Sequence, residues 1–186
     1  MKTLIKFRNY AIFSFWVIFT GIFASQVIWL QSQPINSHQN QVLGTTDDER
    51  FYKVERIIDG DTIRVTIDGR SVLVRFIGIN APEIEHSNET AECFGYNSKF
   101  YLQSLIANSS VRLESDPNDS NKDKYGRLLR YVYPEDGTIL NEKLVREGYA
   151  FAVVYNKGNR YERLLKSAQM DAQQNKVGYW GATDCH

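Results

Sequence analysis

The 186-residue chain has no Asp or Glu before Asp47, and it holds only two cysteines, three histidines and four prolines. Each scarcity narrows the reading. Four Pro and twelve Gly exclude a collagen-like or low-complexity chain. With 24% charged and 42% hydrophobic residues, the chain is neither a disordered tail nor a polytopic membrane protein. His38, His86 and His186 fall in a polar linker, a loop and the last position, which argues against a Ser-His-Asp or other histidine-based site. There is no His-Glu-x-x-His, Gly-x-Ser-x-Gly, P-loop or dinucleotide glycine pattern. The net charge of zero hides an uneven distribution. Lys2, Lys6 and Arg8 precede every acid, and from Asp47 onward 19 basic residues meet 22 acidic ones. A uniformly basic surface is therefore excluded, and any polyanion binding must be local.

What is present divides into four stretches. Residues 1–9 are a basic tip. Tyr10 to Leu30 carry no charge in 21 positions. As a helix this segment spans about 31 Å at ~1.5 Å per residue, enough to cross a bilayer. Basic residues lie ahead of it and none follows until Arg50, so the expected topology has a cytoplasmic N-terminus and everything else outside. The reading is a transmembrane signal anchor, with a cleaved signal peptide and a secreted product as the alternative. Residues 31–49 are polar and aperiodic, a flexible linker with a root-mean-square reach of about 24 Å. Residues 50–186 form one globular domain.

Within that domain Phe51–Ile58, Thr62–Ile67 and Ser71–Ile77 alternate as strands, and Asp68-Gly69 is a hairpin signal between the second and third. Val111–Leu113 and Arg127–Tyr133 read as further strands. Helices are expected over Phe94–Ala107, Leu140–Glu147 and Tyr161–Lys176, the last with Leu164, Leu165, Ala168 and Ala172 on one stripe. Gly148 suits a helix C-cap. Five short strands with interspersed helices point to an α+β domain built on a small closed or partly open barrel. Ser115–Tyr125 reads as a solvated loop. Its Asp119-x-Asn121-x-Asp123 spacing is not an EF-hand, because Lys124 and Arg130 stand where that loop needs Gly and Glu.

Chemistry-bearing residues gather where strands end. Asp59 and Asp61 bracket Gly60, Arg75 interrupts an apolar strand, Glu83 follows Pro82, and Arg127 follows Tyr125-Gly126. Taken singly, each has a bland reading as a turn closer or a surface charge. Together they are the kit for phosphodiester hydrolysis. Arginines neutralise a pentacoordinate phosphorane, carboxylates hold a hard cation, and a free Glu can deprotonate water.

Four segments then carry a resemblance: Ile58–Thr62 (IDGDT), Val74–Glu83 (VRFIGINAPE), Asp123–Arg127 (DKYGR) and Asn141–Gly148 (NEKLVREG). In order and spacing they resemble the staphylococcal nuclease (thermonuclease) family from Phe51 to about Trp180. The resemblance implies an OB-type five-stranded barrel with three helices. It also implies calcium-dependent endonucleolytic hydrolysis of DNA and RNA that leaves 3′-phosphates. By motif, Asp61, Asn80 and the Ala81 carbonyl resemble the calcium ligands. Arg75 and Arg127 resemble the two phosphate arginines, and Glu83 resembles the residue that activates water. Lys124 and Tyr125 resemble contacts to a terminal phosphate. Tyr155 resembles a nucleotide-facing tyrosine, with the spacing around it shifted by one. At Asn80 the family pattern has an Asp, so this site carries one charge fewer and its calcium affinity is put in question.

Cys93 and Cys185 are an even pair, which in an exported domain is expected to be bridged. The reading is a monomeric, membrane-anchored, extracytoplasmic nuclease acting on DNA and RNA, single strands preferred. Its rival is a non-catalytic nucleic-acid-binding barrel at the cell surface.

Overall fold

The computed structural model describes residues 49–85, 90–155 and 158–185. The segment Tyr10–Leu30, the linker up to residue 48 with His38, the loop residue His86 and the last residue His186 lie outside the described residues. Among the described residues no helix is long and apolar enough to cross a membrane.

Five strands close into a barrel in the order β1-β2-β3-β6-β5. They are β1 (Phe51–Ile57), β2 (Thr62–Ile67), β3 (Arg70–Phe76), β5 (Ser110–Glu114) and β6 (Leu128–Tyr133). Alternation places Tyr52, Val54, Ile63, Val65, Val74, Val111 and Val132 inside, all nearly solvent-free. The β2–β3 hairpin turns at Asp68-Gly69, where both residues take positive φ, 48° and 74°. That pairing is the primed two-residue turn whose twist matches the flanking strands. A bulge in β1 between Val54 and Arg56 bends the strand towards closure.

Three helices complete the α+β domain: α1 (Gly95–Ile106), α2 (Leu140–Arg146) and α3 (Glu162–Asn175). Leu102 and Ile106 of α1, Leu140, Leu144 and Val145 of α2, and Leu165 and Ala168 of α3 join the barrel residues in one core. Gly148 follows α2 at φ 71°, as a left-handed cap requires. Leu164 departs from the expected stripe. It is exposed on α3, while Leu165, Ala168 and Ala172 carry the buried face.

Two elements were not legible as strands. β4 (Ile79–Asn80) and β7 (Phe151–Ala152) pair antiparallel outside the barrel. Two-residue strands are too short to show a period. The expected disulfide is formed. Cys93 is bridged to Cys185, with Cα atoms 5.6 Å apart, joining the approach to α1 to the short 3-10 turn Thr183–Cys185.

Candidate active site

The barrel's one parallel contact builds the site. β3 runs parallel to β6 with Arg75 opposite Leu129, and antiparallel to β2 with Arg75 opposite Thr62. Residues opposite one another share a face, and Arg127 lies two positions before Leu129. Thr62, Arg75 and Arg127 therefore come to the same side. The Arg127 guanidinium donates to Thr62 Oγ1 at 3.4 Å.

Arg75 is buried although it is charged, and both of its Nη groups are engaged within the protein. Nη1 donates to the carbonyls of Phe76 and Ile79 at 2.9 and 2.8 Å. Nη2 donates to Asn80 Oδ1 at 2.9 Å and pairs with Asp61 Oδ2 at 2.9 Å. A buried guanidinium is stable only with this degree of satisfaction.

Asp61 is fixed from the other side. The Ala81 N–H donates to its Oδ2 at 2.7 Å, and Thr62 Oγ1 donates to its Oδ1 at 3.0 Å. Its own N–H donates to Asp59 Oδ1. Gly60 is required between them. A Cβ there would stand 2.6 Å from that of Ala81 and 2.7 Å from that of Ser98 on α1. Burial pushes the Asp61 carboxyl up to about 7. Arg75 opposes the shift, the neighbouring Asp59 charge adds to it, and the Ala81 N–H opposes it.

Arg127 is steered by a residue that the motif contained but to which no role was attached. Asp123 Oδ2 accepts from Arg127 Nε at 2.6 Å, and Asp123 Oδ1 accepts the main-chain N–H groups of Tyr125 and Arg127 at 2.9 Å. Burial would raise Asp123, but the bonds from Arg127 outweigh it and hold the carboxyl below its usual value. The i,i+4 spacing of Asp123 and Arg127 was the available signal.

Arg75, Arg127, Lys124, Tyr125 and Tyr155 line one cleft of about 550 Å³. Tyr125 and Tyr155 are about 70% exposed, an unusual state for rings of this size. The Lys124 and Arg127 cations lie over the Tyr125 ring at 4.9 and 5.5 Å. Asp61, Asn80, Ala81 and Glu83 do not line this cleft. The first three are joined to it through Arg75. Glu83 is exposed in the segment after β4, with its main chain bonded to Glu92.

Among the described residues no three His, Cys, Asp or Glu side chains cluster as a metal site. The candidate donors are instead one carboxylate (Asp61), one amide oxygen (Asn80) and one main-chain carbonyl (Ala81). The Asn80 amide also donates to the Ala81 carbonyl at 3.4 Å, so all three groups belong to one hydrogen-bonded cluster. All are hard oxygens, a donor set that fits calcium or magnesium rather than a soft metal.

The Ser115–Tyr125 loop is less solvated than its composition implies. Asp116 is buried, and it accepts from the Tyr131 hydroxyl at 2.8 Å and from the Arg160 and Asn118 N–H groups at 2.7 and 2.9 Å. Glu114, also buried, pairs with Arg160.

Comparison with known proteins agrees with this geometry. A family model described as "Staphylococcal nuclease homologue" matches residues 73–182. The chain is 39% identical over 132 residues to the thermonuclease of Staphylococcus hyicus, covering 71% of this chain and 76% of that one. It is 36% identical over 160 residues to the thermonuclease of Staphylococcus intermedius, covering 86% and 94%. It is 32% identical over 148 residues to endonuclease YncB of Bacillus subtilis, covering 79% and 66%.

Proposed function

The chain belongs to the staphylococcal nuclease family and is a nuclease, and from that premise we propose that it hydrolyses DNA and RNA internally, with calcium, leaving 3′-phosphates. The observation that carries this reading is the convergence of Arg75 and Arg127 on one cleft beside two exposed tyrosines.

Two guanidiniums held in fixed directions can bind the non-bridging oxygens of one phosphate. Their interaction strengthens as charge builds on the phosphorane. Arg127, oriented by Asp123, is assigned to the side of the leaving oxygen. Glu83 takes the proton from the attacking water. Lys124 and Tyr125 receive a neighbouring phosphate, and the Tyr125 and Tyr155 faces offer stacking to unpaired bases. Asp61, Asn80 and the Ala81 carbonyl are the residues that would hold calcium, which supplies positive charge against the phosphate when bound. The rival, a non-catalytic binding barrel, is set aside by the relatives, which are named as nucleases.

Single strands are the favoured substrate. With 22 acids against 19 bases from Asp47 onward, the domain has no excess of positive charge with which to deform a duplex. The protein acts as a monomer. It is held at the outer face of a membrane by Tyr10–Leu30, or secreted if that segment is cleaved.

Digestion of single-stranded DNA, RNA and duplex plasmid, with calcium and then with chelator, tests the reading. The expected result is calcium-dependent cleavage, faster on single strands, with phosphatase-sensitive 3′ ends. Products with 5′-phosphates would overturn the mechanism.

A further inference from the structure

We propose that Glu92 is a positioning residue for Glu83, holding the base in line with the attacking water. The inference rests on the reading of Glu83 given above. Both main-chain polar groups of Glu83 are taken by Glu92. The Glu83 N–H donates to Glu92 Oε2 at 2.9 Å, and the Glu92 N–H donates to the Glu83 carbonyl at 2.9 Å.

Two residues upstream, the Ala81 N–H is held by Asp61 at 2.7 Å. Between the two anchors stands Pro82, whose ring fixes φ. The tripeptide Ala81-Pro82-Glu83 is thus clamped at its first residue by the buried carboxylate of the arginine cluster and at its last by Glu92.

Glu92 is itself braced. The Gly95 N–H donates to its carbonyl at 3.0 Å, and the adjacent Cys93 is cross-linked to Cys185. A Cβ on Gly95 would stand 2.2 Å from the Glu83 carbonyl oxygen, so the first turn of α1 closes on this peptide only with glycine there. The Glu92 carboxylate does not line the phosphate cleft. It is engaged by a main-chain N–H, which sets the direction in which the Glu83 side chain leaves the backbone. A proton acceptor misplaced by about 1 Å loses rate steeply, on the order of 10²-fold.

The test is steady-state kinetics on a single-stranded oligonucleotide at saturating calcium, with Tm measured for each protein. Wild type is compared with Glu92→Ala, Glu92→Gln, Glu83→Gln and the double variant Glu83→Gln/Glu92→Ala. Glu92→Ala is expected to lower kcat by about tenfold with KM within about twofold, because alignment and not substrate binding is lost. Glu92→Gln, whose amide oxygen can accept the same N–H, should restore most of that loss. The double variant should be no slower than Glu83→Gln alone, since the aligned group is already gone. If Glu92→Ala does not fold, Glu92→Asp, one methylene short of the Glu83 N–H, replaces it with the same expected loss.

Wild-type kcat in Glu92→Ala beside a crippled Glu83→Gln overturns the positioning role and leaves the role of Glu83 intact. Near-normal turnover in Glu83→Gln overturns the reading of Glu83, and this inference with it. Equal losses in Glu92→Ala and Glu92→Gln, or additive losses in the double variant, make Glu92 a structural clip and overturn the proposal.

Discussion

Asp61 and Asp116 expose equally little surface, 2% and 4%, and each accepts from three donors including an arginine residue. Yet burial drives the Asp61 carboxyl well up, whereas Asp116 ends below its usual value. The count of partners does not decide this. Asp61 lies deeper in the protein, so burial weighs more on it, and it also has a second carboxylate, Asp59, at its shoulder and an arginine shared with two carbonyls and Asn80. For Asp116, burial raises the carboxyl, but the Asn118 and Arg160 N–H groups and the Tyr131 hydroxyl outweigh it. The Tyr131 hydroxyl is pushed up in turn by burial and by Asp116. One cluster is saturated and serves the fold. The other is left short of positive charge, and the candidate cation ligands gather there.

The sharpest way to break this contrast is to strike the candidate catalytic residues and the Asp116 cluster, and to read rate and stability separately. Arg127→Ala and Glu83→Gln should each lower the rate by about 10²-fold or more, on the order of 3 kcal/mol of transition-state stabilisation. Glu83→Gln should leave Tm unchanged. Asp116→Ala should do the opposite. Removing a buried acceptor of three hydrogen bonds should destabilise the domain by about 3 kcal/mol, with kcat of the folded protein preserved. A loss of rate in Asp116→Ala matching that of Arg127→Ala would erase the distinction.

A smaller effect sharpens it from the side of the Asp61 cluster. Asn80 Oδ1 already faces Arg75 beside Asp61, and Asn80→Asp adds a charge at that point. Calcium binding should tighten by about 1–2 kcal/mol, measured by calorimetry. Equal affinities would show that Asn80 is no ligand.

The smallest effect is a pH dependence. The Asp116 carboxyl is lowered on folding, so its contribution to stability is fully present above the ordinary Asp value of 3.8. It is lost as pH falls through the lower folded value. Urea unfolding of wild type and Asp116→Asn should therefore differ at neutral pH, with the difference shrinking below about pH 4. A constant difference down to pH 2 would remove the titration from the account.

Much of the fold is readable in the chain. Thr62–Ile67 has the same bounds as β2, and Asp68-Gly69 makes the hairpin turn, because alternation and turn chemistry are local. The candidate site residues, Tyr155 apart, stand in four short motifs, and Arg75 and Arg127 do meet in one cleft. What stayed hidden depends on distant partners. Asp116 looked solvated among polar neighbours, but Tyr131, in a strand fifteen residues on, and the more distant Arg160 N–H hold it inside. Leu164 fitted the apolar stripe of α3, but the core needs only the narrower face of Leu165, Ala168 and Ala172. Glu92 stands nine positions after Glu83, in a stretch whose sequence carries no period to read.

The Cys93–Cys185 bond also changes what a protease can do to this molecule. Exposed residues such as Pro117, Asn118 and Lys122 offer cutting points between the two cysteines. A single nick there would put Arg75 and Glu83 on one fragment and Arg127 on the other. Because each fragment retains one end of the bond, the two cannot diffuse apart. Reassembly of the barrel around the phosphate cleft then remains a first-order event within one covalent molecule, indifferent to dilution.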